Sequence, residues 1–431
     1  MSIAELYNIF KEYPLVSTDT RKISQDCLFF ALKGENFDAN TFAGEAIKQG
    51  AAYAVVDCLD LPKNPQFIFV DNVLKTLQDL AHYHRKQLGL PVVGLTGTNG
   101  KTTTKELINA VLSQKFKTSA TLGNLNNHIG VPLTLLAITP ETEVAIVEMG
   151  ANHQKEIEFL CAIAEPDFGL ITNVGKAHLE GFGGFEGVKK GKGELYDFLS
   201  KSNETVFVNH DNNYLLEMSN DKVFKEVVYY GTSSLCYVSG ELLANDPYLK
   251  IAWRQGGHQE TVQSQLTGIY NFENILAAIA IGKKLGLTNE EVNKGIEIYQ
   301  PTNNRSQIIK TAKNTVIGDF YNANPSSMAV AIENIAKLDA GKKILILGDM
   351  FELGDESQAE HQTIVKQVGK HSFDEVIFIG KEFSKQQQAP FSFYTDVEVL
   401  KKHLENNPIE GALILLKGSR GMKLEQLMEQ L

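Results

Sequence analysis

Gly94-Leu-Thr-Gly-Thr-Asn-Gly-Lys-Thr-Thr103 places closely spaced glycines directly before a lysine and two threonines. The apolar run Val92–Leu95 predicts a buried strand leading into this stretch, and the residues after it follow a helical pattern. A strand, a glycine-rich loop and a helix in this order form a phosphate-binding loop, because loop amides and the helix dipole point at the anion. We therefore expect Lys101 to reach the β- and γ-phosphates of a nucleotide and the Thr102 hydroxyl to bind Mg²⁺.

The loop does not name a reaction by itself. Kinases, GTPase switches and transport motors share such loops, and the strict form of the pattern has a glycine where Leu95 stands. An ordinary glycine-rich turn between a strand and a helix is the alternative. The lysine, the threonines after it and the flanking pattern favour a nucleotide site.

Bulk composition excludes several classes of protein. The 431 residues are 43% hydrophobic and 22% charged, which predicts a globular chain of more than one domain. No apolar run approaches the length of a membrane-spanning helix, and a formal net charge of −11 argues against a nucleic-acid surface. The cysteines are scattered without a CxxC pair, which predicts reduced thiols and no zinc site. Met1–Glu5 lacks a basic segment followed by an apolar one, so we expect a cytoplasmic protein.

Apolar runs followed by turn residues and helical patterns recur along the chain and predict an α/β fold with parallel sheets. Shifts of pattern near Pro91 and over Pro301–Asn304 divide the chain into three predicted domains. These domains are residues 1–85, 86–298 and 299–431. The predicted strands are Val92–Leu95, Val144–Val147, Gly169–Ile171, Val316–Ile317, Ile344–Leu347, Val376–Ile379 and Leu413–Leu416.

Many of these strands end on a polar residue, and the ligand crevice of an open parallel sheet lies at the carboxyl ends of its strands. Glu148 closes one strand in the manner of a metal-binding acid, although a carboxylate facing water is the alternative. Residues 206–266 are more strand-rich and irregular, and their arrangement is not predicted. The polar strand ends are Thr96, Glu148, Thr172, Asp319, Asp349 and Lys417.

Several motifs resemble those of the Mur ligases, a family of ATP-dependent amide-bond ligases, and they occur along the chain in the order found in that family. The phosphate loop has the form those ligases use, and Val147–Ala151 is similar to their metal-binding strand end. Thr172–Glu180 and Gly191–Glu194 resemble their second-magnesium and carbamylated-lysine segments, and Gly268–Asn274 resembles the start of their adenine-contacting helix. The resemblance covers nearly the whole chain. It implies an N-terminal α/β domain that binds a UDP-sugar, a central ATPase domain with a mostly parallel sheet, and a C-terminal Rossmann-like domain that binds the amine substrate and closes on ATP.

The resemblance also implies which residues bind ATP and Mg²⁺. Lys101, Glu148, His178 and a carbamylated Lys192 would be catalytic, and Thr102 would join the last three as a metal ligand. A lone histidine is usually structural, and Lys192 in a lysine-rich segment has a solvated basic face as its alternative reading. The implied ATP contacts are Gly97, Thr98, Asn99, Gly100, Lys101, Thr102, Thr103, Asn271, Asn274, Arg305 and Asp319.

Four segments are most similar to one branch of the family, whose members join D-alanyl-D-alanine to UDP-MurNAc-tripeptide. They are Gly123–Pro132, Asp319–Met328, Leu347–Gly354 and Lys417–Met422. Other branches typically carry an Asp-Tyr/Gly-Ala-His pattern where this chain has asparagines. The residues implied in substrate binding are Thr20, Arg21, Lys33, Asn126, Asn127, Tyr321, Asn322 and Asn324.

One of these residues also has a structural role that the sequence predicts. Asn324 is a helix-capping residue type and Pro325 follows it, as at the first turn of a helix. Met328, Ile332 and Ile335 would then form the buried stripe of that helix.

The implied reaction uses ATP and Mg²⁺ and passes through an acyl phosphate. A MurE-like or folylpolyglutamate-synthase-like ligase is the alternative within the family, and a nucleotide-dependent switch or motor is the alternative outside it. An inactive relative would be expected to lack Lys101 or Glu148, and both are present. Tyr270 stands where many relatives have histidine, so a contact there stays open. We expect a monomer whose partners are the two small-molecule substrates, with no nucleic acid and no membrane span.

Overall fold

The described residues form three larger β-sheets, which follow one another along the chain and pack against helices, and one two-stranded sheet. The computed structural model describes residues 1–302 and 305–431, so Asn303 and Asn304 of the second predicted boundary segment lie outside the described residues. Most strand pairs are parallel, and the predicted α/β fold of three domains is confirmed. Within the described residues no helix has the length and apolar character needed to cross a membrane.

The N-terminal part is a small α/β layer. Its elements in chain order are α1 (Ile3–Glu12), β1 (Val16–Ser17), β2 (Leu28–Phe30), β3 (Lys33–Gly34), β4 (Phe37–Asp38), α2 (Ala43–Lys48), β5 (Tyr53–Val56), β6 (Phe67–Phe69) and α3 (Val73–Leu88), with 3-10 turns at Thr20–Lys22 and Ala39–Phe42. Parallel strands pair in the order β1-β2-β5-β6, and β3 and β4 form a hairpin. Helix α3 begins at the capping residue Asn72 and ends at Gly89, whose φ of 62° suits a glycine helix stop.

The central part is built on a nine-stranded sheet. Its elements are β7 (Val92–Thr96), α4 (Lys101–Leu112), β8 (Thr118–Ala120), α5 (Gly130–Leu136), β9 (Val144–Glu148), α6 (Glu156–Ala164), β10 (Phe168–Ile171), α7 (Leu179–Phe182), α8 (Phe185–Lys201), β11 (Thr205–Asn209), α9 (Asn213–Asn220), β12 (Glu226–Gly231), β13 (Val238–Asn245), β14 (Leu249–Gln255), β15 (His258–Gln263), α10 (Asn271–Lys284) and α11 (Asn289–Ile298). The strand order is β15-β14-β13-β12-β11-β10-β7-β9-β8. From β8 at one edge through β9, β7, β10, β11 and β12 to β13, neighbouring strands pair in parallel. Strand β14 then pairs antiparallel with both β13 and β15. Residues 206–266, whose arrangement the sequence leaves open, extend this sheet to its far edge.

The C-terminal part has a six-stranded sheet. Its elements are β16 (Gln307–Lys310), β17 (Thr315–Asp319), α12 (Pro325–Lys337), β18 (Lys343–Gly348), α13 (Ser357–Val368), β19 (Glu375–Ile379), α14 (Lys381–Ser384), β20 (Ser392–Tyr394), α15 (Val397–Asn406) and β21 (Leu413–Lys417), with 3-10 turns at Gly354–Glu356, Arg420–Met422 and Leu424–Leu427. The strand order is β16-β17-β21-β18-β19-β20, and among the described strands of this sheet only the edge pair of β16 with β17 is antiparallel.

Parallel pairing brings the predicted polar strand ends together. Strand β7 lies between β9 and β10, with Leu95 opposite Glu148 and Thr96 opposite Ile171. In the C-terminal sheet Asp319 lies opposite Lys417. Each sheet therefore presents its polar strand ends along one edge, as expected for an open parallel sheet.

Each strand that the sequence predicts lies within a strand of the structure. The prediction for α12 is also confirmed: Asn324 Oδ1 accepts the Ser327 N–H at 2.9 Å, and Pro325 stands at the first turn. The stripe formed by Met328, Ile332 and Ile335 is completely buried. Local pattern therefore suffices for these elements.

The predicted boundary between residues 85 and 86 falls inside helix α3, which contacts α1 of the N-terminal part and α5 and α6 of the central part. Arg85, on this helix, is buried and joins the two parts. Its Nε donates to Ala164 O at 3.0 Å, and its Nη2 lies 2.8 Å from Asp167 Oδ2. The division of the chain at residues 85 and 298 stays a prediction.

Candidate active site

The phosphate loop, residues 97–100, is held by the segment that follows β10. Asn173 O accepts the Thr98 N–H at 3.0 Å, and Asn173 Oδ1 accepts the Asn99 N–H at 2.9 Å. The hydroxyl of Thr172 donates to Asn99 O at 2.6 Å. A Cβ on Gly97, whose φ is 147°, would lie 2.0 Å from Thr172 Oγ1, so only glycine permits this approach. The segment that follows β10 therefore holds the backbone of the loop in this conformation.

Lys101 begins helix α4 and folds back over the loop. Its Nζ donates to Gly97 O at 2.7 Å and to Thr98 O at 3.1 Å. Burial lowers the pKa of Lys101 to about 8, while the Glu148 carboxylate acts in the opposite direction. The first N–H groups of any helix lack helical acceptors, so the ammonium and the start of α4 together form an anion site.

Glu148 and Thr102 form a pair of oxygen donors behind the loop. Thr102 Oγ1 donates to Glu148 Oε2 at 2.9 Å, and Asn126 Nδ2 donates to Glu148 Oε1 at 2.8 Å. The Thr121 hydroxyl accepts the Glu148 N–H at 2.9 Å. Magnesium prefers a few protein oxygens and completes its shell with water and phosphate, so this pair fits Mg²⁺. The described residues contain no cluster of three His, Cys, Asp or Glu side chains placed to hold a metal.

His178 and Lys192, the other predicted metal ligands, have different surroundings. His178 Nδ1 lies 2.6 Å from Glu352 Oε2, a residue of the C-terminal part. Lys192 is buried, and its Nζ donates to Ala151 O at 3.2 Å. Burial lowers the pKa of Lys192 well below its usual range, and the positive charge of Lys101 adds to the effect. A neutral amine is the form that reacts with CO₂.

A cleft of about 1310 Å³ lies between the central and C-terminal sheets and gathers most of the predicted residues. The lining includes Thr98, Asn99, Gly100, Lys101, Thr103, Asn126, Asn127, Glu148, His178, Asn271, Asn274, Arg305, Asp319, Tyr321, Asn322 and Asn324. Gly97, Thr102 and Lys192 are not among the lining residues. Such a large concave site with converging polar groups is typical of a substrate cleft.

Asn271 and Asn274, predicted as adenine contacts, are largely occupied by the protein itself. Asn274 Oδ1 accepts from the Thr104 hydroxyl at 3.0 Å, and Asn274 Nδ2 donates to Asn271 Oδ1 at 2.8 Å. Asn271 Nδ2 donates to Thr267 O at 2.8 Å. These hydrogen bonds fix the start of α10 against α4. An adenine base would therefore bind only to the donors and acceptors of the two asparagines that these bonds leave free.

The C-terminal side of the cleft carries charge and aromatic surface. Lys417 Nζ lies 2.6 Å from Asp319 Oδ2 and fixes that carboxylate. The Arg305 guanidinium lies 3.9 Å from the centroid of the Tyr321 ring, an arrangement that stabilises a cation. Asn324 Nδ2 donates to Asn99 Oδ1 at 2.8 Å, so the cap of α12 touches the phosphate loop.

Sequence reasoning missed several residues of this site. Thr121 and Asn173 hold Glu148 and the loop, Ser306 donates its N–H to Asp319 Oδ1 at 3.3 Å, and Lys417 pairs with Asp319. Of these, Lys417 was expected among the polar strand ends, and only its pairing with Asp319 was missed. The other three carry no signal without knowledge of the strand register.

Thr20, Arg21 and Lys33 are not among the residues that line the cleft. The Arg21 side chain is exposed, and its Nη2 lies 2.8 Å from Asp19 Oδ2. The hydrogen bond from Arg21 lowers the pKa of Asp19 to about 2. Lys33 Nζ lies 2.9 Å from Asp57 Oδ1. Both cations are accessible to a ligand of the N-terminal part, and their predicted role stays a prediction.

Comparison with known proteins agrees with this geometry. The model of the Mur ligase middle domain matches residues 95–282, and that of the Mur ligase, glutamate ligase domain matches residues 304–420. The chain is 36% identical to the UDP-N-acetylmuramoyl-tripeptide–D-alanyl-D-alanine ligase of Bacillus subtilis, over 96% of this chain and 92% of that protein. The chain belongs to the Mur ligase family.

Solved structures place this Mur ligase beside MurF enzymes. MurF from Acinetobacter baumannii has a TM-score of 0.85 at 30% identity, over 96% of this chain and 92% of that one. The MurF ligase from Thermotoga maritima in complex with ADP has a TM-score of 0.86 at 25% identity, over 96% of each chain. The predicted resemblance to the family, and to this branch of it, is confirmed.

In this Mur ligase, Gly97→Ala is expected to weaken binding of Mg²⁺ and a non-hydrolysable ATP analogue roughly tenfold or more, because its Cβ would collide with Thr172 and strain the loop. Calorimetry measures the dissociation constant. Gly44→Ala is the control, since Gly44 lies in α2 with open space around the added Cβ. Unchanged affinity of Gly97→Ala would contradict the assigned phosphate site.

Proposed function

We propose that this chain joins D-alanyl-D-alanine to UDP-MurNAc-tripeptide, with ATP as the energy source, and gives UDP-MurNAc-pentapeptide, ADP and phosphate. The observation that carries the proposal is one cleft in which a phosphate loop faces a polar C-terminal surface, in a chain whose relatives are MurF enzymes over almost their full length. Peptidoglycan precursor synthesis is the corresponding process. The same proposal places the chain in the cytoplasm, where ATP is available, as a monomer.

The first step activates a carboxylate, which is a poor electrophile. The terminal carboxylate of the tripeptide attacks the γ-phosphorus of ATP, the bond to the β-phosphate oxygen breaks, and an acyl phosphate and ADP result. Lys101 from the loop and Arg305 from the C-terminal part neutralise charge on the transferring group. Mg²⁺, held by Thr102 and Glu148 with His178 and modified Lys192 at a second ion, would supply further charge neutralisation.

The second step forms the amide bond. The amine of D-alanyl-D-alanine attacks the acyl carbonyl, a tetrahedral intermediate collapses, and phosphate leaves with one oxygen of the original carboxylate. Tyr321, Asn322 and Asn324 stand on the C-terminal side of the cleft and would hold the dipeptide. Orientation of the amine within reach of the carbonyl is the main contribution of such residues.

Contacts between the central and C-terminal parts would help to limit the access of water to the acyl phosphate. Asn324 meets Asn99, and Lys176 Nζ lies 2.7 Å from Glu360 Oε1. Lys176 N–H also donates to Ser326 Oγ at 2.8 Å. A closed cleft protects a reactive intermediate from hydrolysis.

The UDP-sugar is assigned to the N-terminal part. Thr20, Arg21 and Lys33 would hold the diphosphate, since exposed cations suit that anion. Asn126 and Asn127 line the cleft from the central part, and they would lie near the muramoyl group. Residues 1–85, 86–298 and 299–431 would then bind the UDP-sugar, ATP and the amine substrate respectively.

Phosphate release from ATP is expected to require UDP-MurNAc-tripeptide, Mg²⁺ and D-alanyl-D-alanine together, because the amine must clear the acyl phosphate. A phosphate assay measures the rate, and mass spectrometry identifies UDP-MurNAc-pentapeptide. Lys101→Met, which keeps the length of the side chain and removes its charge, is expected to reduce turnover by roughly 100-fold or more.

Two outcomes would contradict parts of the proposal. Turnover with single amino acids but not with the dipeptide would keep the ligase class and replace the amine substrate, as for a MurE-like or folylpolyglutamate-synthase-like enzyme. ATP hydrolysis that ignores every amine would remove the ligase mechanism.

Lys192 is expected to carry a carbamate, formed when its neutral amine adds to CO₂ and releases a proton. The burial of the side chain and the lowered pKa favour this form. Protein equilibrated with ¹³C-bicarbonate should give a carbamate resonance in ¹³C NMR. Lys192→Ala should lack this resonance. Lys190→Ala, two residues earlier in the same helix, should retain it. Equal spectra for wild type and Lys192→Ala would refute the assignment.

A further inference from the structure

The residues at the start of helix α10 are hydrogen-bonded to the C-terminal part. Ile269 N–H donates to Asn334 Oδ1 at 3.4 Å, and the same oxygen accepts from Asn245 Nδ2 at 2.9 Å. One residue further, the hydroxyls of Tyr270 and Ser306 share a hydrogen bond of 2.5 Å. Tyr270 and Ile269 belong to the central part, whereas Asn334 and Ser306 lie beyond the boundary segment. The start of α10 is therefore a contact across the nucleotide cleft.

The Tyr270 side chain adopts a specific position at this contact. Its ring lies over Gly268, where a Cβ would come within 2.5 Å of the ring, and Gly268 has a φ of 92°. A side chain at position 268 would displace the ring. Tyr270 lines the cleft together with its neighbour Asn271, and burial raises the pKa of its phenol, so the hydroxyl is neutral.

Ser306 transmits the contact to two predicted ATP residues. It follows Arg305 directly, and its own N–H donates to Asp319 Oδ1 at 3.3 Å. Ser306 has a φ of 51°, an unfavourable conformation for a residue with a side chain, so it needs external contacts to hold it. Its hydroxyl is buried and bonded to Tyr270.

We propose that Tyr270 is a positioning residue for the nucleotide: its hydroxyl holds Ser306, and Ser306 holds Arg305 and Asp319 where they contact ATP. Tyr270 stands where many relatives have histidine. The hydrogen bond between Tyr270 and Ser306, called the tether below, would give the tyrosine a function at this position. The inference rests on the proposed function, because it takes Arg305 and Asp319 as contacts of ATP.

The test removes the hydroxyl and keeps the ring. Tyr270→Phe is expected to raise the dissociation constant of a non-hydrolysable ATP analogue with Mg²⁺ roughly 3- to 10-fold, the effect of one lost hydrogen bond. In turnover assays the KM for ATP should rise by about the same factor and kcat should fall, because Arg305 also neutralises charge on the transferring phosphoryl group, while the KM for UDP-MurNAc-tripeptide stays within about twofold. Ser306→Ala should have the same effect, and the double variant should add nothing further.

A matched control separates this effect from general loss of a tyrosine hydroxyl. Tyr7→Phe removes a hydroxyl that lies 3.2 Å from His84 Nδ1 in the N-terminal part, and it should leave the affinity for the analogue unchanged. Analogue affinity of Tyr270→Phe equal to that of the wild type, or additive losses in the double variant, would overturn the inference.

Calorimetry also distinguishes failure of the inference from failure of the proposed function. If the wild type binds the analogue and Tyr270→Phe weakens it, while no pentapeptide forms, the tether stands and the proposed reaction fails. If pentapeptide forms and Tyr270→Phe binds normally, the reverse holds. A wild type that does not bind the analogue would overturn both.

Discussion

Hydrogen bonds from the end of β10 hold the phosphate loop in place, and the two sides of the cleft are arranged around them. Asn173 and Thr172 form hydrogen bonds with the backbone of Thr98 and Asn99. The groups that remain for a nucleotide phosphate are the Lys101 ammonium and the first N–H groups of α4. The Asn99 side chain then meets Asn324, the cap of α12. The proposed phosphate loop is therefore also in direct contact with the C-terminal part.

The chemistry follows from two sheets of mostly parallel strands. The carboxyl ends of the strands in both sheets border the same cleft. One edge supplies Lys101 and Glu148, and the other supplies Asp319 and its partner Lys417. Charges of both signs converge in a cleft whose walls belong to different parts of the chain, so the groups proposed to stabilise the transition state come from both walls. Activation of a carboxylate requires such an arrangement, because the acyl phosphate must meet an amine before it meets water.

Sequence alone predicts the elements whose pattern is local, but not those that depend on register. The buried Val/Ile/Leu strands, the glycine loop and the Asn324 cap are readable, since propensity, burial and turn chemistry agree there. Strands β13 and β15 were not, because most of their residues are at least partly exposed and their alternation is broken. Pairs such as Tyr270 with Ser306, or Glu148 with Thr121, join distant residues and carry no signal in a single sequence.

Transfer of oxygen from substrate to product phosphate reports whether the cleft carries out carboxylate activation. UDP-MurNAc-tripeptide labelled with ¹⁸O at its terminal carboxylate, turned over with ATP, Mg²⁺ and D-alanyl-D-alanine, should give phosphate that contains one ¹⁸O atom per molecule. That label arises because the carboxylate oxygen that attacks the γ-phosphorus leaves with the phosphate. Unlabelled phosphate, formed at the same rate as pentapeptide, would mean that water or another group attacks the nucleotide, and the acyl-phosphate mechanism would be wrong.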